Sequence, residues 1–263
     1  MLTDTQSRLL VEERRRKILD LLKVQERVTV NELVGQFGVS AVTIRGDLHA
    51  LHHAGLLVRS HGGAVRRLES ADDIPISIKS RLHHSEKVRI GHRASLLIQD
   101  GDTIILDSGT TTMEVARQIR YLEPKSLTVI TNALNVAQEL SKLPHIRVIM
   151  LGGILRPVSL SMVGPQAERT LQELNADKLF LAVDGLDPDA GLTTPDVLEA
   201  QLNSLMVRIS REVIVVADSS KFMRRSLSSI VGLDGVHRLI TDQVPAPPLA
   251  DVLRSYNVDV IIA

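Results

Sequence analysis

Residues 28 to 65 leave little freedom of fold, because their local signals follow one another without spare positions. Val28-Thr29-Val30 reads as a short strand, and Asn31 to Phe37 as a helix with Leu33, Val34 and Phe37 inward. Gly38 closes that helix, Ser40 opens a second one, and Leu57 to Ser60 and Ala64 to Arg67 flank a His61-Gly62-Gly63 tip. Helix, tight turn, helix and hairpin in this order make a winged helix-turn-helix. On the second helix Ile44, Leu48 and Leu51 share one stripe and face a core, which turns Val42, Arg45, Gly46 and His49 outward.

The second helix of such a unit enters the major groove with its first turns nearest the bases. Candidate DNA contacts are therefore Ser40, which also caps the helix through an N–H near Thr43, together with Val42, Thr43, Arg45 and Gly46. Val42 suits a thymine methyl, Thr43 a phosphate or base edge, and Arg45 a guanine or a phosphate. Asp47 sits nearer the core edge and is expected to organise neighbouring arginines rather than approach a polyanion. An exposed glycine within a helix costs about 1 kcal/mol relative to alanine, and close backbone approach to DNA is a reason to tolerate Gly46. In the wing, Arg59, His61, Gly62 and Arg66 are placed to follow phosphates or enter the minor groove.

Net charge is zero over the whole chain, but the segment from Arg14 to Arg67 is locally basic, with an Arg14 to Lys17 cluster expected on the polar side of a first helix over Arg8 to Val24. With no Trp, two Tyr and three Phe, the chain lacks the stacking platforms of single-strand binders, so duplex DNA is the expected partner. The absence of cysteine excludes disulfides, thiolate metal sites and cysteine nucleophiles. No basic-flanked leader and no apolar run of about 20 residues is visible, which gives the expectation of a cytoplasmic protein without a membrane span.

Beyond Glu69 the pattern changes. Apolar strands at 103–106, 127–130, 147–151, 179–183, 213–217, 239–240 and 258–262 alternate with helical stretches, after a helix over Ser85 to Ile98. Such alternation predicts a mainly parallel, Rossmann-like α/β domain with both faces covered. The domains expected are 1–68 for DNA binding, 69–84 as a linker and 85–263 as an α/β effector domain. The strands end in polar residues, and parallel sheets bind ligands outside their carboxyl ends.

Asp107, Ser108, Gly109, Thr110, Thr111 and Thr112 run from a strand into a helix start, where free N–H groups, hydroxyls and the helix dipole can hold a phosphate. The remaining candidates on this rim are Asn132, Gly152, Gly153, Arg156 as an anion partner, Asp184 and Asp218 as acceptors for sugar hydroxyls, and Lys221 facing either a phosphate or Asp218. Glu199, on a helix, is read as solvated. No Gly-Lys-Ser/Thr ending marks a nucleotide P-loop, the Gly152-Gly153 pair lacks a dinucleotide fingerprint's third glycine, and His52-His53 and His83-His84 read as surface pairs without nearby carboxylates. No cofactor or metal is expected.

Arg14, Ile18 and Leu22, then Val39-Ser40, Thr43-Ile44-Arg45 and Asp47-Leu48, and finally Arg59, His61, Gly62, Gly63 and Ala64 resemble the N-terminal signature of the DeoR family of bacterial sugar-metabolism regulators. Gly46 departs from the Arg, Lys or Asn common there. Asp107 to Thr112, Thr131-Asn132, Gly152-Gly153, Gly164, Asp184-Gly185 and 218–222 resemble the family's effector domain, which is similar in fold to ribose-5-phosphate isomerase. The runs 107–112 and 151–171 look closest to repressors of N-acetylgalactosamine and galactosamine catabolism. The resemblance implies a non-enzymatic repressor, bound to operator DNA as a homodimer or homotetramer and released by a phosphorylated sugar, with an amino sugar as the finer expectation. The alternative is a sugar-phosphate isomerase with an accessory DNA-binding domain, for which Asp107, Asp184, Asp218, Glu199 and Lys221 would supply acid, base and oxyanion groups.

Overall fold

The computed structural model describes residues 11–25, 27–53, 56–60, 62–66, 73–122 and 124–263. Its contacts divide the chain into two units, Met1–Ser70 and Ala71–Ala263.

The first unit runs α1 (Val11–Gln25), β1 (Arg27–Thr29), α2 (Val30–Phe37), α3 (Ala41–His53), β2 (Leu57–Ser60) and β3 (Gly63–Arg66), with β3 between β1 and β2 in an antiparallel sheet. The start of the Arg8 to Val24 helix lies outside the described residues. Strand β1 stops one residue earlier than the sequence pattern suggests because Thr29 caps α2: Glu32 N–H donates to Thr29 Oγ1 at 3.2 Å and Thr29 N–H to Glu32 Oε2 at 2.7 Å. Gly38, at φ 62°, ends α2 in the left-handed conformation that a side chain would resist. Ile18 and Leu22 of α1, Leu33 of α2, and Ile44, Leu48 and Leu51 of α3 fill one core.

The second unit is an α/β layer structure. Its elements are α4 (Ile76–Lys79), α5 (His84–Ser95), β4 (Thr103–Leu106), α6 (Thr110–Ile119), β5 (Leu127–Thr131), α7 (Leu134–Leu140), β6 (Ile146–Met150), β7 (Ile154–Arg156), β8 (Ser161–Val163), α8 (Pro165–Gln172), β9 (Ala176–Leu181), β10 (Gly185–Asp187), β11 (Gly191–Thr194), α9 (Val197–Ile209), β12 (Ser210–Val216), β13 (Ser228–Val231), β14 (Arg238–Thr241), α10 (Leu249–Ser255) and β15 (Asp259–Ile262). The main sheet has the order β15-β14-β12-β9-β4-β5-β6, with every pairing parallel. Short antiparallel pieces, β7-β8 and β10-β11-β13, were not legible as strands in the sequence.

Period-two alternation distributes the buried strand residues over two cores. Ile104, Leu106, Phe180, Ile214 and Val216 face one side with Ile90, Val115, Ile119 and Val136. Ile105, Leu179, Leu181, Val213 and Val215 face the other with Leu171, Leu202, Met206 and Leu253. Chain order reverses between β4 and β9, so the loops leaving their carboxyl ends diverge and open a crevice.

The expected 69–84 linker needs correction. Residues 69–72 lie outside the described residues, but 73–84 pack into the second unit: Ile76 N–H donates to Val158 O at 2.7 Å and α4 carries Lys79 to Asp184. Pro75 and the lack of a long apolar period hid this single-turn helix, which depends on partners distant in sequence.

Candidate functional site

On the first unit, the exposed face of α3 carries Val42, Thr43, Arg45, Gly46 and His49, with Val42 76% exposed. Ser40 caps the helix, its Oγ accepting from Thr43 N–H at 3.1 Å and meeting Thr43 Oγ1 at 2.9 Å. A Cβ at Gly46 would meet nothing within 4 Å, so packing does not require glycine there. Arg59 and Gly62 are exposed in the wing, while His61 and the side chain of Arg66 lie outside the described residues.

The basic cluster of α1 is less available than its sequence suggests. Arg14 is buried, and its Nε donates to Asp47 Oδ2 at 2.6 Å; Arg15 Nε reaches Asp47 Oδ1 at 3.0 Å. Asp47 thus organises arginines, as its place at the core edge predicts, and Arg14 belongs to the α1–α3 joint rather than to a solvated face. Replacing exposed Arg45 with alanine is expected to leave the unfolding midpoint unchanged and weaken operator binding by about ten- to hundredfold. Unaltered operator affinity in a fluorescence-anisotropy titration would remove Arg45 from the interface.

On the second unit, a small cleft lies where β4 and β9 diverge. Its wall includes Asp107, Ser108, Gly109, Thr110 and Thr111 from the β4–α6 turn, and Asp184 beyond β9. Lys79, Lys87 and Lys221 bring three ammonium groups to it, and Glu199 and Asn203 line it from α9. Asp107 ties the two strand ends together, since its Oδ1 accepts from Ala182 N–H at 3.1 Å. Complete burial, reinforced by the nearby Glu199 and Asp184 carboxylates, pushes the Asp107 carboxyl well above its ordinary range despite hydrogen bonds from Ala182 and Thr112.

Burial works against ionised Asp184 too, but Lys79 Nζ at 2.7 Å and Lys221 Nζ at 4.0 Å outweigh it and hold its carboxyl below the ordinary range. Lys87 is buried, its Nζ donating to Lys79 O and Leu82 O at 2.7 Å each. Burial first, and then the neighbouring Lys221 and Lys79 charges, depress its pKa to about 8 against the opposing pull of Asp218 and Asp184. Close packing delivers this lysine: a Cβ at Gly91, one turn further along α5, would lie 2.6 Å from Glu114 Cβ of α6, so only glycine lets the helices meet there. Ammonium groups, hydroxyls and the first amides of α6, all of them groups that can donate to an anion, thus share one wall.

Several residues selected from the sequence stand outside this wall. Thr112 is buried, its hydroxyl turned to Asp107 O and Gly109 O at 3.0 Å. Asn132 is buried and donates to Met162 O at 3.2 Å, and Gly152 and Gly153 lie on an exposed loop before β7. Asp218 is buried and spends Oδ1 on Ser220 N–H and Oγ; it is Asp184, not Asp218, that faces Lys221. The reading of Arg156 as an anion partner is corrected: Asp73, Asp196 at 3.3 Å and Glu199 at 2.6 Å already surround its guanidinium. Glu199, read as solvated, is buried and also accepts from Ser161 Oγ at 2.6 Å.

Lys79, Lys87 and Asn203 escaped the sequence reading. Lys87 could have been found, because it falls on the same stripe of α5 as buried Ile90, Gly91 and Ala94, an expensive place for a cation without a role. No group of His, Cys, Asp or Glu suited to a metal occurs among the described residues, and no described helix is long and apolar enough to cross a membrane.

Comparison with known proteins covers both units. A DeoR-like helix-turn-helix domain matches residues 14–69, and a DeoR C terminal sensor domain matches residues 82–243. A relative from Escherichia coli O157:H7, named as a transcriptional repressor of the aga operon, is 41% identical over 95% of this chain and 93% of its own. The glycerol-3-phosphate regulon repressor of Escherichia coli K12 is 32% identical over 94% of this chain and 96% of its own. A ribose 5-phosphate isomerase A from Methanocaldococcus jannaschii overlaps 53% of this chain and 55% of its own, with TM-score 0.40 and 17% identity.

Proposed function

The chain belongs to the DeoR family of transcriptional regulators, as a DNA-binding repressor with a C-terminal sensor domain rather than an enzyme, and we propose that it controls an amino-sugar catabolic operon and is released from its operator by a phosphorylated sugar held between β4 and β9. The observation that carries the sugar phosphate is the cleft's charge. Three lysines, Lys79, Lys87 and Lys221, line it beside the hydroxyls of Ser108, Thr110 and Thr111 at the start of α6. A phosphate dianion there meets ammonium groups, hydroxyls and the first amides of a helix. The 41% identity to the aga operon repressor supports the amino-sugar assignment. In this reading the protein binds repeated half-sites as a symmetric oligomer.

The signal reaches the chain leading to the DNA-binding unit through residues 73–79. Asp73 holds Arg156, which holds Glu199, and Lys79 pairs with Asp184, so two charge links connect this segment to the cleft wall. An effector that draws Lys79 or Glu199 away must favour a different setting of the segment, and that differential affinity is what shifts the population.

Calorimetric titration of the full chain with hexose and hexosamine phosphates and their unphosphorylated sugars tests the site: only phosphorylated sugars are expected to bind. Binding of free sugars with equal affinity would defeat the anion receptor. The same titration has a signed pH dependence. Lys87 is cationic below about 8 and a phosphate favours that form, so affinity should be full at pH 7 and fall, by up to about tenfold per unit, as pH rises past 8. Without ligand the sign reverses for stability: the cost of burying the charge is fully present below about 8 and declines toward the ordinary value of 10.5, so stability from this group rises over that window. A flat affinity profile from pH 7 to 9.5 would exclude Lys87 from the phosphate site.

A further inference from the structure

The cleft is not polar throughout. Ile74, Ile76, Val158 and Val183 line it together with the lysines and hydroxyls. Three of these four come from two segments tied directly to each other, since Ile76 N–H donates to Val158 O at 2.7 Å. Over 74–77 exposure alternates: Ile74 and Ile76 are half-buried, whereas Pro75 and Ser77 are exposed. The two isoleucines therefore turn inward to the cleft that they line, and their neighbours turn outward.

An ion pair holds the chain on either side of them, Asp73 with Arg156 and Lys79 with Asp184 at 2.7 Å. Aliphatic side chains on the wall of a cleft favour a ligand that covers them. Inorganic phosphate cannot do so, being polar on every side. A phosphorylated sugar can, because its ring presents C–H groups while its phosphate is held by the donors at the start of α6.

We infer that Ile74, Ile76 and Val158 form a subsite for the C–H face of the sugar, deepening the sugar-phosphate reading on which this inference rests, so that the effector touches segment 73–79 directly. The phosphate contributes affinity through the lysines and the α6 turn, and the body of the sugar contributes the contact with the segment. Ile76 joins the two, because its side chain belongs to the subsite and its N–H to the bond with Val158. Occupancy of this subsite, rather than of the phosphate site alone, is then what biases the setting of the segment.

The test is calorimetric titration of the full chain with inorganic phosphate and with a set of hexose and hexosamine 6-phosphates, the tightest of which is carried into Ile74→Ala, Ile76→Ala and Ile76→Leu. Wild type should bind that sugar phosphate at least about tenfold tighter than inorganic phosphate. Each alanine variant should weaken the sugar phosphate by about three- to tenfold and leave inorganic phosphate within about twofold of wild type, which also reports that the cleft still folds. Ile76→Leu, which restores the aliphatic volume, should keep the sugar phosphate within about threefold of wild type. In operator anisotropy, saturating inorganic phosphate should leave DNA affinity within about twofold of its ligand-free value, whereas the sugar phosphate should weaken it at least about tenfold. Equal wild-type affinity for inorganic phosphate and the sugar phosphate, alanine variants that keep both affinities or lose both in equal proportion, or release of the operator by inorganic phosphate alone overturns the subsite while leaving the sugar-phosphate sensor standing. Failure of wild type to bind any of the sugar phosphates overturns that sensor reading, and the subsite with it.

Discussion

Asp47→Ala is expected to cost the DNA-binding unit about 3–5 kcal/mol, the characteristic penalty for removing one partner of a buried ion pair. Arg14 and Asp47 are 6% and 3% exposed, and the substitution would leave the Arg14 guanidinium in the core without this carboxylate, while Arg15 loses its second anchor. A unit of this size buries a small core, so a loss of that magnitude consumes most of its stability. Thermal unfolding of the full chain, followed by circular dichroism, should show a transition of the first unit falling sharply while that of the second is kept, with operator binding lost. Two positions away, Arg45→Ala should weaken binding by about ten- to hundredfold without unfolding, so the pair separates a residue that builds α3 from one that uses it. A midpoint for Asp47→Ala indistinguishable from wild type would show that α1 is held to α3 by its apolar contacts alone.

Gly109→Ala should produce a repressor that no longer responds to sugar. A Cβ at this position would fall 2.5 Å from Ala182 Cβ and 3.0 Å from Thr112 Oγ1. Ala182 cannot readily yield, because its N–H is bound to buried Asp107 at the end of β9. The turn from Ser108 to Thr111 must therefore move, and its amides and hydroxyls lose their convergence on the phosphate. Overpacking of this kind costs about 1–3 kcal/mol of stability, and misdirected charge-assisted hydrogen bonds should weaken sugar-phosphate binding by at least about thirtyfold. Operator affinity without sugar should stay within about twofold of wild type, since the change lies in the second unit. Calorimetry showing wild-type affinity for the sugar phosphate would mean that the anion is held elsewhere on the rim.

What could be read from the sequence follows physical range. The α3 stripe of Ile44, Leu48 and Leu51, the Ser40 cap and the apolar strands are local in sequence, and the structure places them as periodicity and capping require. The polar ends of β4 and β9 were also legible as a rim, because a parallel sheet puts every strand end on one side. Pairing across the fold was not. Nothing near Arg156 in sequence announces that Asp73, Asp196 and Glu199 converge on it, and nothing near Lys79 announces Asp184. A charged side chain within an apolar stripe was the available clue: Lys87 on α5, and Glu199 and Asn203 leading to Met206 on α9, are polar residues where periodicity demands burial.

In the proposed function, one ligand in the second unit governs DNA binding by the first. That coupling is tested most directly by fluorescence-anisotropy titration of the full chain against DNA upstream of its own and neighbouring genes, with and without a saturating hexosamine 6-phosphate. Sequence-specific binding that weakens by at least about tenfold when the sugar phosphate is present, a coupling above 1 kcal/mol, is the predicted result. Operator affinity that is identical with and without a sugar phosphate shown by calorimetry to occupy the protein would contradict it.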